Sequence, residues 1–169
     1  MNLPKIVIIE CGSQYTLVIE RALRELGVRS AILEPKKALG WIEKNPVRGV
    51  ILSGGPASVY DKDAPPLPPE ILSLRSKNGK QVPILGICYG MQWIVKQLGG
   101  EVKQVAENRE YSRVEIYADP NHPLFQDTPR QQIVWASHGD SVTRIPEEFH
   151  VAGRSADSGA VAAVVCRGG

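Results

Sequence analysis

Short apolar runs alternating with helix-periodic stretches constrain this chain more than any other feature. The runs are Ile6 to Ile9, Val28 to Leu33, Val47 to Leu52 and Val82 to Ile87. The first helical pattern covers Gln14 to Leu26, where Leu17, Val18, Ala22 and Leu26 share one face. Such alternation predicts βαβ units around a parallel sheet, with Val82 to Ile87 as a buried strand. Gly27 and Gly99-Gly100 follow periodic stretches, where a helix needs a residue tolerant of positive φ to close its C-terminus. Ala64-Pro65-Pro66-Leu67-Pro68-Pro69 cannot continue a helix or a central strand, so it reads as a surface loop leading to a helix near Glu70 to Ser76.

After Gly100 the pattern shifts to brief strand-like stretches at Glu101 to Ala106, Val114 to Tyr117, Ile133 to Trp135, Phe149 to Ala152 and Ala160 to Cys166. Strands in succession with short turns predict antiparallel additions at one side of the parallel core. The expected class is α/β, a mainly parallel sheet flanked by helices, with antiparallel strands toward the C-terminus. The 169 residues are enough for one domain with a full core and no covalent staples. Three cysteines, Cys11, Cys88 and Cys166, form neither a disulfide framework nor a zinc pattern, which fits a reducing, cytoplasmic setting. The N-terminus shows no export signal, and no apolar segment has the length to span a bilayer. A net charge of +2, mixed along the chain, argues against nucleic acid and membrane as partners.

Gly86-Ile87-Cys88-Tyr89-Gly90 places a thiol between glycines where an apolar run gives way to the helical pattern Tyr89 to Leu98. This is the form of a nucleophile elbow. The adjoining helix N-terminus should favour thiolate over thiol. By itself the pentapeptide fits a buried, inert cysteine equally well. Ligands gather beyond the carboxyl ends of strands in open α/β sheets, so the neighbouring strand-end loops carry weight. Glu10-Cys11-Gly12-Ser13-Gln14-Tyr15-Thr16 and Ser53-Gly54-Gly55-Pro56 should converge on the same rim as Cys88. Backbone N–H groups of the glycine turn, with that of Tyr89, are suited to an oxyanion formed by acyl transfer to Cys88. Gln92 lies one helical turn beyond Cys88 and is either a substrate contact or an exposed helix glutamine. Trp135-Ala136-Ser137-His138-Gly139-Asp140 is a polar loop suited to hydrogen-bonding a substrate, with His138 either structural or functional.

Together these segments resemble the class I, or triad, glutamine amidotransferases, and among them the glutaminase domains of GMP synthases. Gly12 to Thr16, Leu52 to Pro56, Gly86 to Gln92, Arg109-Glu110-Tyr111 and Ser137 to Asp140 follow the family's order and comparable spacing over nearly the whole chain. The resemblance implies that Cys88 attacks the side-chain amide of glutamine and that a thioester is hydrolysed to glutamate. It implies Gly55 and Tyr89 as oxyanion donors, and Gly54, Gln92, Ser137, His138, Gly139 and Asp140 as contacts to glutamine. The ammonia would pass to a GMP synthetase ATP-pyrophosphatase domain or subunit that aminates XMP to GMP. No metal or cofactor is implied for this domain, since ATP and magnesium belong to the synthetase.

The sequence departs from the family in two places. The family's cysteine is served by a His-Pro-Glu motif, whereas the histidines here are His122, His138 and His150, none at that position. The chain stops at Arg167-Gly168-Gly169, where a hairpin would lead into the strand bearing that motif, and so resembles a glutaminase domain truncated at its C-terminus. Loss of a triad member costs on the order of a thousandfold in turnover, so little activity is expected of these residues alone. Glu10-Cys11 also replaces the family's usual aspartate and aromatic residue, leaving Cys11 as a small buried residue or a second group at the site. Two alternatives remain: a catalytically silent module that binds or regulates a synthetase, and a cysteine hydrolase of a related fold.

Overall fold

The structure is a computed structural model that describes residues 4–76, 78–104, 113–136 and 139–166. It divides into two compact units, residues 1–94 and 95–169.

In the first unit, β1 (Ile6–Ile9), β2 (Ser30–Leu33), β3 (Gly49–Leu52) and β4 (Ile84–Gly86) form a sheet in the order β2-β1-β3-β4. Every pairing in it is parallel. Val7, Ile8 and Ile9 of β1 are fully buried, as a central strand of such a sheet requires. The expected buried strand at Val82 to Ile87 is instead the edge strand β4, shorter than expected, with Leu85 exposed. An edge strand has a pairing partner on one side only, so uniform apolarity did not reveal its place.

Helices α1 (Thr16–Glu25), α2 (Pro35–Ile42) and α3 (Tyr89–Gln97) follow β1, β2 and β4. Pro35 occupies the first turn of α2, where its missing N–H costs nothing. Both glycine stops are confirmed. Gly27 and Gly99 have φ of 70° and 84°, and Val28 N–H donates to Leu23 O at 2.8 Å as Gly100 N–H donates to Val95 O at 2.8 Å. These are Schellman closures. The face shared by Leu17, Val18, Ala22 and Leu26 is exposed, and Thr16 is the buried residue of α1. Pattern locates a stripe but not what covers it. The helix expected at Glu70 to Ser76 is a 3-10 segment, Pro69–Ser73, anchored by fully buried Ile71.

In the second unit, β6 (Arg113–Ala118), β7 (Gln131–Trp135), β9 (Phe149–Ser155) and β10 (Val161–Cys166) form an antiparallel sheet ordered β10-β9-β6-β7. β5 (Glu101–Gln104) pairs antiparallel with β8 (Asp140–Arg144). All five strand-like stretches after Gly100 thus contain strands. β8 went unanticipated because its apolar content is one residue, Val142, in Asp140-Ser141-Val142-Thr143-Arg144. Val114, Ile116 and Ala136 make a small core, with Val134 and Ala162 against it.

Candidate functional site

Three loops converge at the carboxyl ends of β1, β3 and β4, all within the first unit. β4 ends at Gly86, and α3 starts two residues after Ile87. Glycines at both ends of the joint are required by space. A Cβ on Gly86 would lie 2.6 Å from the Gly90 carbonyl carbon, and one on Gly90 would overlap the Leu52 carbonyl oxygen and lie 2.7 Å from Leu52 Cβ. The turn between them is thereby compressed against β3. Cys88 takes up the bend with φ of 48°, a conformation rare for a side chain with a Cβ. Ile87 N–H donates to Leu52 O at 3.0 Å, and Gln92 N–H to Cys88 O at 3.0 Å, fixing the elbow to the sheet and to α3.

The turn after β3 lies directly beside this thiol. A Cβ on Gly54 would stand 3.4 Å from Cys88 Cβ and 3.7 Å from Ser13 Oγ, so the glycine turn and the loop after β1 flank Cys88 together. Gly55 faces the other way, with its missing Cβ replaced by the Cys11 carbonyl group. Ser53, fully buried, binds these loops: its hydroxyl accepts from Cys11 N–H at 2.9 Å and donates to Gly54 O at 3.0 Å. Among the described residues, no hydrogen-bond partner is found for the N–H groups of Gly55 and Tyr89. Backbone N–H donors are the groups that an oxyanion site requires.

Electrostatics separate the two cysteines in this unit from the sequence-based picture. Burial pushes the Cys88 thiol above its ordinary value of 9.0, opposite to the depression expected from the helix N-terminus. Taking the thiol out of water disfavours its charged form, the thiolate. Cys11 is buried more deeply, and burial raises its thiol to about 12 despite the Ser53 hydrogen bonds. Its Sγ lies 3.7 Å from Ile9 O, pointed into the sheet. Cys11 is therefore the small buried residue of the two alternatives.

The remaining anticipated residues fall in three groups. Gln92 is buried on α3 and not an exposed helix glutamine. Gly139 is half-buried, and Asp140 is buried at the start of β8, both in the second unit. Ser137, His138 and Arg109-Glu110-Tyr111 lie outside the described residues. His122 and His150 meet ring to ring at 6.0 Å, and His122 Nδ1 accepts from Leu124 N–H at 3.1 Å, a local capping role. Two contributors were missed from sequence: the Ser53 hydroxyl, and the Tyr89 phenol, which donates to Pro65 O at 3.3 Å. The one available signal was generic, that a buried hydroxyl must find a partner.

A strand–elbow–helix joint that carries a thiol, with a glycine turn against it, defines an α/β protein with a cysteine at the elbow position. The model of the glutamine amidotransferase class-I family matches residues 7–168, and the chain belongs to that family. Over 152 residues it is 45% identical to the GMP synthase (glutamine-hydrolyzing) of Lactobacillus gasseri, covering 89% of this chain and 28% of that protein. Over 156 residues it is 46% identical to the Enterococcus faecalis GMP synthase (glutamine-hydrolyzing), covering 92% and 29%. The chain thus spans less than a third of the length of these relatives. Among solved structures, a Thermoplasma acidophilum protein, described as a candidate component of GMP synthase, aligns with a TM-score of 0.75 at 25% identity, covering 99% of this chain and 80% of its own. A Thermotoga maritima glutamine amidotransferase aligns with a TM-score of 0.76 at 22% identity, covering 99% and 76%.

Proposed function

We propose that this chain hydrolyses the side-chain amide of glutamine and supplies the ammonia to a GMP synthetase. The observation that carries the reading is Cys88 at φ 48° between two glycines that have no room for a Cβ, with the Gly54-Gly55 turn against it. In the reaction, Cys88 Sγ attacks the carboxamide carbon, and the carbonyl electrons move onto oxygen. The Gly55 and Tyr89 N–H groups receive that oxyanion. The C–N bond then breaks, the nitrogen takes a proton and leaves as ammonia, and a thioester remains. Water attacks the thioester, releasing glutamate and restoring the thiol.

Gly54 borders the reacting carbon, while Gln92, Ser137, His138, Gly139 and Asp140 are the proposed contacts to the amino-acid end of glutamine. Since burial holds the thiol protonated, the attack requires a proton acceptor. The 169 residues contain no His-Pro-Glu, so their turnover alone is expected to be low even where Cys88 forms adducts. The proposed partner is an ATP-pyrophosphatase domain or subunit that aminates XMP, with ATP and magnesium held there. The proposed setting is the cytoplasm; no described helix is long and apolar enough to cross a membrane.

A chloroketone analogue of glutamine tests the reading. Mass spectrometry should find one adduct, on Cys88, and excess glutamine should protect against it. Absence of label on Cys88, with iodoacetamide still reacting there, would leave a non-catalytic module that keeps the fold.

A further inference from the structure

The two proposed oxyanion donors come from different segments, Gly55 from the long connection after β3 and Tyr89 from the elbow. The pairing of β3 with β4 ends at Leu52 and Gly86, and one further bond, from Ile87 N–H to Leu52 O, ties the elbow to the end of β3. Beyond Leu52 the connection runs through the Gly54-Gly55 turn, a turn in which Ser58 N–H donates to Asp61 Oδ2 at 2.7 Å, and the proline-rich stretch. It then enters the core at Leu67 and Ile71. The Tyr89 side chain is buried beneath that connection, and its hydroxyl donates to Pro65 O. Pro65 O also accepts from Leu67 N–H at 2.8 Å, so the carbonyl is held from both sides. Burial first, then interaction with the nearby Cys11 and Asp61 side chains, raises the phenol to about 12, so it stays a neutral donor.

We propose that Tyr89 is a positioning residue, whose hydroxyl ties the proline-rich connection to the elbow and so holds the Gly55 and Tyr89 N–H groups at the spacing an oxyanion needs. The inference rests on the amidotransferase reading above. Removing the hydroxyl should leave the thiol accessible but let the two donors drift apart. Misplacement by even an ångström is costly where charge develops.

The test compares two reagents on the full chain and on Tyr89→Phe. With the glutamine-like chloroketone, Cys88 Sγ adds to the ketone carbon and an oxyanion forms before the sulfur shifts to the methylene carbon and chloride leaves, whereas iodoacetamide loses iodide by direct displacement at its methylene carbon and forms none. Tyr89→Phe should slow chloroketone labelling by about tenfold or more while iodoacetamide labelling stays within about twofold. Pro66→Gly, at an exposed position next to the accepting carbonyl, loosens that carbonyl without touching the elbow and should give the same selective loss, by about threefold. It also serves if Tyr89→Phe fails to fold. Equal slowing of both reagents, or of neither, in the variants that fold overturns the proposal. Wild-type protein that resists the chloroketone while accepting iodoacetamide overturns the amidotransferase reading instead.

Discussion

At the scale of single residues, the first unit contains two cysteines with opposite fates. Cys11 sits against the sheet with its backbone N–H on Ser53, and its thiol reaches about 12. Cys88 is partly exposed and raised by burial from 9.0. Alkylation requires thiolate, so iodoacetamide should label Cys88 before Cys11. Its rate on Cys88 should reach half its maximum only above pH 9, the pH at which an ordinary exposed thiol is already half thiolate. A plateau at or below pH 8 in stopped-time labelling would contradict the burial argument. The Cys-between-glycines motif was legible because sterics alone demand glycine at those positions. The direction of the pKa shift was not legible, since it depends on how much protein surrounds the sulfur.

At the scale of elements, the same glycine type serves two separable purposes. Gly27 has φ of 70° with nothing within 4 Å of an added Cβ, so Gly27→Ala adds backbone strain alone. That costs about 1 kcal/mol. Gly90→Ala drives a methyl into the Leu52 backbone and should cost more, about 1–3 kcal/mol, and disturb the elbow. Urea unfolding should rank the two, and only Gly90→Ala should also alter Cys88 labelling. The α1 face makes a matching prediction. Leu17→Ala should shift stability by less than about 0.5 kcal/mol, because Leu17 is 71% exposed, whereas a core leucine would cost about 2–5. Strands β1 to β4 were legible to within two residues at each end, since apolar runs and their flanking turns are local features. The inward side of α1 and the edge place of β4 were not, since both depend on neighbours distant in sequence. β8 escaped for the opposite reason, that pairing with β5 organises residues with little strand signal of their own.

At the scale of the whole molecule, the buried titratable groups predict how folding responds to base. Cys11 binds its proton until about pH 12 in the folded chain but releases it near 9.0 once unfolded. Between those values the unfolded state holds fewer protons, so stability falls as pH rises. The slope is up to about 1.4 kcal/mol per pH unit for one such group. Tyr89, raised from 10.0 to about 12, adds to the fall in the upper part of that window. Denaturation midpoints should therefore be flat from pH 7 to 8.5 and drop steeply above 9. A midpoint unchanged to pH 11 would count against deep burial of both groups.

What the sequence determined by itself was everything set by local sterics and short-range order: the βαβ alternation, the glycine stops, the thiol at a strand–helix joint and the family those segments belong to. Tertiary structure decided the rest. It brought Ser13, Gly54 and Cys88 to one place, set Cys11 aside as a core residue, turned the apolar face of α1 outward and gave the Tyr89 hydroxyl its partner across 24 residues. The division has one physical cause: backbone conformation answers to adjacent residues, while burial, desolvation and hydrogen-bond partnership answer to whichever residues the fold brings alongside.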